Sequence, residues 1–294
     1  MIDDIEQRIM RVRNDREHGS RWLVREAILI MYDLAAAPTS SPDEHMRQLR
    51  AAGRELAHAR PAMAALAVAV GRILSAQGGP TGMAREAAHL LEEYDTATER
   101  IAAYARPLLT GTLMTHSISG TVLEVLSACH AQIERVIVLE GRPRYEGRDM
   151  ARALIEHAMA VTLITDAQAD IFLPQCQAVV VGADSILASG DVLNKAGTAL
   201  LAWAAHGHDI PLYVLCETLK ISPDHWSGDL ARLEEKEANE VLEEPIAGVE
   251  VRNFYFDRTP AKLVTKVITE QGVMGKQKIR QMAAALKQIR GYRP

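Results

Sequence analysis

The stretch from Arg135 to Ala183, RVIVLEGRPRYEGRDMARALIEHAMAVTLITDAQADIFLPQCQAVVVGA, decides the fold of this 294-residue chain. It contains three short apolar runs, at residues 135–140, 160–165 and 178–183, separated by helix-like stretches. Similar apolar runs lie at residues 112–115 and 211–216. Strands without polar alternation that are interleaved with helices are typical of a parallel sheet covered on both faces. We therefore predict an open α/β domain over residues 107–294.

The chain before this sheet has a different character. Up to about Arg106 it is rich in Ala, Arg, Glu and Leu, and its apolar residues recur at spacings of three and four. Breaks at residues 38–42, at Pro61 and at residues 78–82 divide it into four or five predicted helices. We therefore predict an N-terminal helical domain over residues 1–106.

Two late segments have patterns of their own. Residues 222–244 are strongly acidic, which predicts a solvated helix or an exposed excursion. Residues 249–272, VEVRNFYFDRTPAKLVTKVITEQG, resemble an extended piece followed by a helix whose N-terminal cap is Thr259, directly before Pro260.

Composition and charge exclude several classes of protein. Hydrophobic residues make up 48% and charged residues 24%, which excludes disordered, collagen-like and coiled-coil chains. The formal net charge is −5, so we expect neither nucleic acid nor a membrane as a partner. Cys129, Cys176 and Cys216 are isolated, which argues against disulfides and structural zinc and indicates a reducing cytoplasm. The N-terminus lacks the apolar core of a signal peptide, and the apolar run at residues 62–70 is too short to span a membrane.

Polar residues follow the predicted strands, and in an open α/β sheet a ligand binds at that edge. Ser119 and Gly120 come between the first strand and a helix, where they either bind phosphate through free backbone N–H groups or form an ordinary helix cap. After the second strand, Arg142 either binds phosphate or pairs with Glu140.

The fourth strand ends in the most polar cluster of the chain. A carboxyl group at the end of a buried strand is expected to have a raised pKa, which makes Asp184 a candidate general acid. Asp191 and Asn194 follow, either as site residues or as turn and capping residues. Lys195 lies beside them, and after the fifth strand Lys220 is either a phosphate contact or a surface lysine.

Three segments together resemble one known family: LMTHSISGTV (113–122), LEGRPRYEGRDMA (139–151) and VVVGADSILASGDVLNKAGT (179–198). The family unites the regulatory alpha, beta and delta subunits of eukaryotic translation initiation factor two-B with methylthioribose-1-phosphate isomerase and ribose-1,5-bisphosphate isomerase. The resemblance implies a helical domain on a Rossmann-like domain, with the active site between them. It also implies homodimers or homohexamers that assemble through the C-terminal domain. We expect no cofactor and no metal ion.

The resemblance also implies roles for individual residues. Asp184 matches the aspartate that transfers protons in the isomerases, and Ser117 stands where they carry a catalytic cysteine. A serine hydroxyl is a far weaker acid than a thiol, so this departure puts turnover in question. Together with the strand-end residues, the predicted substrate contacts are His18, Gly19, Ser20, Arg60, Ser119, Gly120, Arg142, Asn194, Lys195 and Lys220.

Two functions follow as hypotheses. The first is an aldose–ketose isomerase of a phosphorylated pentose, in which Asp184 donates and accepts protons and Ser117 hydrogen-bonds or relays them through an enediol intermediate. Glu140 is a speculative base in this scheme. The alternative is a non-catalytic regulatory or sensing protein of the initiation factor two-B type, which binds a sugar phosphate or a nucleotide monophosphate.

Overall fold

The computed structural model describes residues 2–16, 18–39 and 41–287, and the N-terminal part of this range is helical. The Pro-rich break at 38–42 works as a helix start, because the Ser41 side chain accepts a hydrogen bond from the Glu44 N–H and Pro42 occupies the first turn. Pro61 lies in the next break, before an Ala-rich helix that is buried on nearly every side. The five helices are α1 (Ile2–Asn14), α2 (Ser20–Ala36), α3 (Pro42–Ala57), α4 (Ala64–Ser75) and α5 (Gly79–Ala105).

The rest of the described chain is built on a seven-stranded sheet in the order β10-β9-β7-β4-β1-β2-β3. All neighbouring strands in it are parallel except the β9–β10 hairpin. The elements are β1 (Gly111–His116), α6 (Gly120–Ala128), β2 (Ile133–Leu139), α7 (Glu146–Glu156), β3 (Val161–Ile164), α8 (Ala169–Phe172), β4 (Ala178–Val181), β5 (Ser185–Ile186), β6 (Val192–Lys195), α9 (Thr198–Gly207), β7 (Leu212–Leu215), β8 (Phe256–Thr259), β9 (Lys266–Thr269), β10 (Gly272–Met274) and α10 (Lys276–Leu286).

The α/β fold class is confirmed, and each of the five apolar runs forms a parallel strand of the large sheet. The proposed boundary at residue 106 falls at a 3-10 turn, Arg106–Leu108, between α5 and β1. Met1 and residues 288–294, at the ends of the predicted domain ranges, lie outside the described residues. No helix of the described chain is long and apolar enough to cross a membrane.

The predicted helix after Thr259 is wrong. Pro260 is followed by a single 3-10 turn, Ala261–Leu263, and then by β9, which pairs in parallel with β7. The Thr-Pro pair has the form of a helix start, but Val267 and Ile268 are buried in the sheet core. Pairing with β7 outweighs the local helix signal. A second, three-stranded antiparallel sheet, β5-β6-β8, was also not predicted.

The acidic segment, residues 222–244, is an irregular excursion. Its described regular structure is limited to two 3-10 turns, Leu230–Leu233 and Ala238–Glu240. Most of its side chains are exposed, as predicted, but Glu234 is buried. The acidic segment is therefore partly built into the fold.

The order in which strands are added to the sheet reverses between β1 and β4. From β1 the sheet grows through β2 and β3 to one side, and through β4, β7 and β9 to the other. At such a switch point the connections leave the sheet in opposite directions and open a crevice at the carboxyl ends of the strands. The residues after β1 and β4 lie at this crevice.

Candidate functional site

A cleft lies at the carboxyl ends of β1, β4 and β7, and the start of α2 and the loop before α4 close its other side. All of the predicted site residues except Arg142 line it: His18, Gly19, Ser20, Arg60, Ser117, Ser119, Gly120, Asp184, Asn194, Lys195 and Lys220.

The start of α6 forms one wall of the cleft. The Ser119 side chain accepts a 3.3 Å hydrogen bond from the Val122 N–H, so it caps the helix as well as lining the cleft. A Cβ atom at Gly182 would lie 2.7 Å from Ser119 Oγ, which explains why glycine begins the Gly182–Asp184 segment. Because α2 also begins in the cleft wall, at Gly19 and Ser20, two helix N-termini face the same space.

His116 ends β1 and Ser117 follows it, and the two side chains differ in their hydrogen bonding. Ser117 is buried, has a left-handed backbone (φ 62°), and its hydroxyl makes no hydrogen bond to the described residues. His116 Nε2 lies 2.8 Å from the Ala196 carbonyl oxygen, so Nε2 carries the proton. Burial lowers the pKa of His116, which keeps the ring neutral. The His116 ring lies against Gly197, whose φ of 108° and close approach require glycine.

Asp184 lies among the cations of the cleft without contacting them directly. Its carboxylate makes no hydrogen bond or ion pair with the described residues. Burial raises the pKa of Asp184, and the charges of Lys220, Lys195 and Arg60 oppose this rise. A carboxyl group with a raised pKa and no bound partner has the properties of a general acid.

The three cations of the cleft have different partners. Lys195 Nζ lies 2.7 Å from Glu146 Oε1. Arg60 Nε lies 3.1 Å from Glu234 Oε2. Lys220 is only 4% exposed, and its ammonium group donates a 2.8 Å hydrogen bond to Ser20 Oγ, with no carboxylate within 4 Å among the described residues. A buried ammonium group without a counter-ion is unfavourable, so Lys220 marks a place for an anion.

Asn194 and His18 are held by neighbouring residues. Asn194 donates to Thr198 Oγ1 at 2.9 Å. His18 is hydrogen-bonded through Nδ1 to Asp15 at 2.8 Å, and its ring stacks on Trp22 with a centroid distance of 4.1 Å.

Three strand-end residues lie outside the cleft lining. Arg142 is exposed, and its guanidinium donates to the Tyr145 hydroxyl and the Val241 carbonyl, both at 2.9 Å. Glu140 pairs with Arg148 at 3.2 Å and does not line the cleft, and its absence from the lining is the reason it is not placed to act as the base. Asp191 accepts from Arg258 and from the Ala261 N–H, which is the turn and capping role. A position near a strand end is therefore not enough to place a side chain in the cleft, because these three side chains turn away from the crevice.

Other lining residues were not predicted: Asp15, Arg16, Met63, His116, Ile118, Arg144, Glu146, Gly182, Ala183, Tyr255 and Phe256. Glu146 is the most informative of them, since one carboxylate oxygen pairs with Lys195 and the other is buried without a partner. Arg144 and Glu146 lie within the 139–151 segment, so position in that segment was an available signal. Tyr255 and Phe256 reach the cleft only through the pairing of β8 with β6.

Asp257 next to the cleft predicts a pH dependence of stability. Its carboxylate accepts from the Gly197 and Ala199 N–H groups at the start of α9, and burial raises its pKa to about 6. The folded state therefore binds this proton more tightly than the unfolded state, so the contribution of Asp257 to stability falls as pH rises from about 4 to 6. The difference in unfolding free energy between Asp257→Asn and wild type should therefore shift in favour of Asp257→Asn by on the order of 2 kcal/mol from pH 4 to pH 7.

Urea denaturation of both proteins across that pH range measures the difference. Parallel stability curves for wild type and Asp257→Asn would contradict the raised pKa.

The chain is similar to proteins of known name over most of its length. Residues 16–276 match the sequence pattern of the Initiation factor 2 subunit family. The chain is 31% identical over 284 residues to ribose 1,5-bisphosphate isomerase of Archaeoglobus fulgidus, covering 93% of this chain and 90% of that protein. It is 36% identical over 260 residues to methylthioribose-1-phosphate isomerase of Pelotomaculum thermopropionicum, covering 79% and 71%. The crystal structure of Pyrococcus horikoshii OT3 translation initiation factor eIF-2B is similar with a TM-score of 0.81 and 30% identity, covering 92% of this chain and 97% of that chain.

Proposed function

The chain belongs to the Initiation factor 2 subunit family, and from this membership and the cleft we propose that it is a sugar-phosphate isomerase acting on a phosphorylated pentose. The resemblance noted in the sequence is thereby confirmed at the level of the family. The observation that carries the proposal concerns two groups in the same cleft that form no ion pair with the described residues: the buried ammonium group of Lys220 and the carboxyl group of Asp184. An anion site beside a general acid is what such a reaction requires.

Phosphate would be bound by cations and by backbone dipoles. Lys220 and Arg60 supply positive charge in a part of the cleft where little water competes. The N-termini of α2 and α6 supply unpaired backbone N–H groups, which favour anions. Asn194 and Lys195 would contact the sugar hydroxyl groups or a second anionic group.

The reaction would produce a ketone at C2 through an enediol whose O1 carries the phosphate group. A pentose 1-phosphate in its ring form has no free aldehyde, so the C1–O4 bond must break first, and Asp184, whose pKa is raised by burial, would donate a proton to O4. The base would then remove the C2 proton and a proton would be delivered to C1, while Asp184 accepts the proton of the C2 hydroxyl group as the ketone forms. Ser117 would hydrogen-bond to the developing enediol, and Glu146 replaces Glu140 as the candidate base because it lines the cleft.

The substrates to consider are those of the named relatives. Ribose 1,5-bisphosphate and methylthioribose 1-phosphate share the pentose and the phosphate, and both names occur among proteins at least 30% identical to this chain. As in the family resemblance, we also propose a homodimer or homohexamer that assembles through residues 107–294, with residues 1–106 as a separate helical domain. The three buried free thiols support a reducing, cytoplasmic location.

A non-catalytic regulatory protein is the second candidate, and Ser117 favours it. A thiol at a helix N-terminus can ionise near neutral pH, whereas a serine hydroxyl needs a base, and no side chain of the described residues hydrogen-bonds to Ser117. The similarity to a translation initiation factor eIF-2B structure supports the same alternative.

Turnover of the two sugar phosphates separates the candidates. We expect wild type to isomerise ribose 1,5-bisphosphate or methylthioribose 1-phosphate, as followed by NMR of the ketose product. No turnover by wild type, together with activity gained in Ser117→Cys, would overturn the isomerase and favour the regulatory protein. Calorimetry with the same compounds completes the test, because the absence of both heat and thermal stabilisation would contradict both candidates.

A further inference from the structure

Glu234 lies behind the cleft, outside its lining, and its side chain is only 5% exposed. Its carboxylate is 3.1 Å from Arg60 Nε and 3.2 Å from Lys236 Nζ. It also accepts a 3.4 Å hydrogen bond from the Ala62 N–H. The carboxylate therefore holds both the guanidinium group and the backbone of the Arg60–Ala62 loop.

The backbone of Glu234 is fixed from the opposite side. Its φ of 49° lies in the left-handed region, which is unfavourable for a residue with a side chain and persists only where surrounding contacts enforce it. Its carbonyl oxygen accepts a 3.2 Å hydrogen bond from the N–H of Tyr255, which lines the cleft. Glu234 thus joins the helical wall, at Arg60, to the sheet wall, at Tyr255.

Arg60 has donors left over. A guanidinium group carries five N–H donors. In Arg60, Nε is engaged by Glu234 and Nη1 donates to the Asp15 carbonyl oxygen at 3.3 Å, with no further partner among the residues described. Arg60 is 8% exposed and lines the cleft. Its remaining donors are therefore available to a ligand in the cleft, and a phosphate oxygen is the acceptor that suits them.

We propose that Glu234 is a positioning residue that holds Arg60 in the orientation for binding the phosphate group of the substrate. The inference rests on the proposed function, because it assumes a phosphorylated ligand in the cleft. Glu234 holds the Nε side of the guanidinium group and balances its charge while the cleft is empty. The acidic segment therefore takes part in substrate binding through Arg60, although Glu234 itself does not line the cleft.

The test is Glu234→Gln, which keeps the size of the side chain and removes its charge. Loss of a charge-assisted contact behind Arg60 should raise the KM for the sugar phosphate, and the Kd for ribose 5-phosphate measured by calorimetry, by about 10-fold, with kcat within about 2-fold of wild type. The matched control is Glu235→Gln on the same segment, since Glu235 pairs with exposed Arg252 and neither residue lines the cleft. This control should bind ribose 5-phosphate as wild type does.

A double-mutant cycle distinguishes positioning from a general structural role. In an Arg60→Met background, Glu234→Gln should have no further effect on ribose 5-phosphate binding, because the proposed route from Glu234 to the ligand, through Arg60, is gone. Equal weakening in both backgrounds, or wild-type binding by Glu234→Gln, would overturn the inference. If Glu234→Gln does not fold, Arg60→Met is compared with Arg60→Met/Glu234→Met, where equal binding supports the inference and further loss overturns it.

The outcomes also separate this inference from the proposed function. If wild type binds ribose 5-phosphate but isomerises neither sugar phosphate, the isomerase fails while the cycle still decides the role of Glu234. If wild type binds neither ribose 5-phosphate nor inorganic phosphate, Arg60 is not a phosphate ligand and the inference fails as well.

Discussion

Replacing Asp184 by asparagine is expected to lower kcat by roughly 100-fold to 10,000-fold, the range lost when a general acid or base is removed. The amide has nearly the same size but cannot donate and accept a proton in turn. Because the Asp184 carboxylate makes no hydrogen bond or ion pair with the described residues, the change leaves no partner unsatisfied, and the fold should be unaffected. Initial rates of wild type and Asp184→Asn with ribose 1,5-bisphosphate and methylthioribose 1-phosphate measure the effect.

The pH dependence of turnover tests whether Asp184 acts as the proton donor. Burial raises the pKa of Asp184, so the protonated form persists to higher pH than it does for an ordinary aspartate. Turnover that depends on this proton should fall as pH rises through the raised pKa. The residual activity of Asp184→Asn should not show this fall. The matched control is Asp170→Asn, because Asp170 is exposed and pairs with His208 away from the cleft. An Asp184→Asn enzyme as fast as wild type would show that the proton comes from another group.

The large sheet was predictable because its strands carry a local signal. A strand buried on both faces must be apolar throughout, and the runs at residues 112–115 and 178–183 satisfy this without help from distant residues. The segment after Thr259 carries no such signal. Its apolar residues come in pairs, Leu263-Val264 and Val267-Ile268, separated by polar residues. The partner that makes Lys266–Thr269 a strand is β7, and 50 residues lie between the end of β7 and Lys266. Local reasoning favoured the helix because the competing interaction is not local.

In the candidate site too, local patterns indicated some residues, whereas contacts between distant parts of the chain determined others. Ser119, Gly120 and Asp184 were found because they follow strands, and a parallel sheet brings the ends of its strands together. Glu234 was assigned to solvent because a run of acidic residues ordinarily covers a surface. Its partner, Arg60, lies 174 residues away, and no pattern within the acidic segment indicates it. The prediction that Arg142 contacts the ligand had the opposite weakness. A strand-end position indicates where the backbone lies but not where the side chain points, and the Arg142 side chain points to the Val241 carbonyl.

Replacing Lys220 by methionine is expected to weaken sugar-phosphate binding while leaving the empty protein as stable as wild type or more stable. The ammonium group is buried, and the one hydrogen bond that it makes to the described residues, to Ser20 Oγ, does not compensate for the loss of hydration. A methionine of similar length removes this cost. Removing a charged partner from a buried phosphate contact costs about 3 kcal/mol, which is roughly 100-fold in Kd.

Calorimetry with the two sugar phosphates and thermal unfolding of the ligand-free proteins measure the two effects separately. Lys262→Met serves as the control, because Lys262 is exposed and packs over the Trp203 ring at 4.6 Å, and neither residue lines the cleft. The Lys220→Met variant should also raise the pKa of Asp184 further, since the Lys220 charge is the largest influence that lowers it. A variant that loses stability without losing affinity would identify Lys220 as a structural lysine. Removing a group that is held ready for a ligand weakens ligand binding and stabilises the ligand-free fold, whereas removing a structural group does neither.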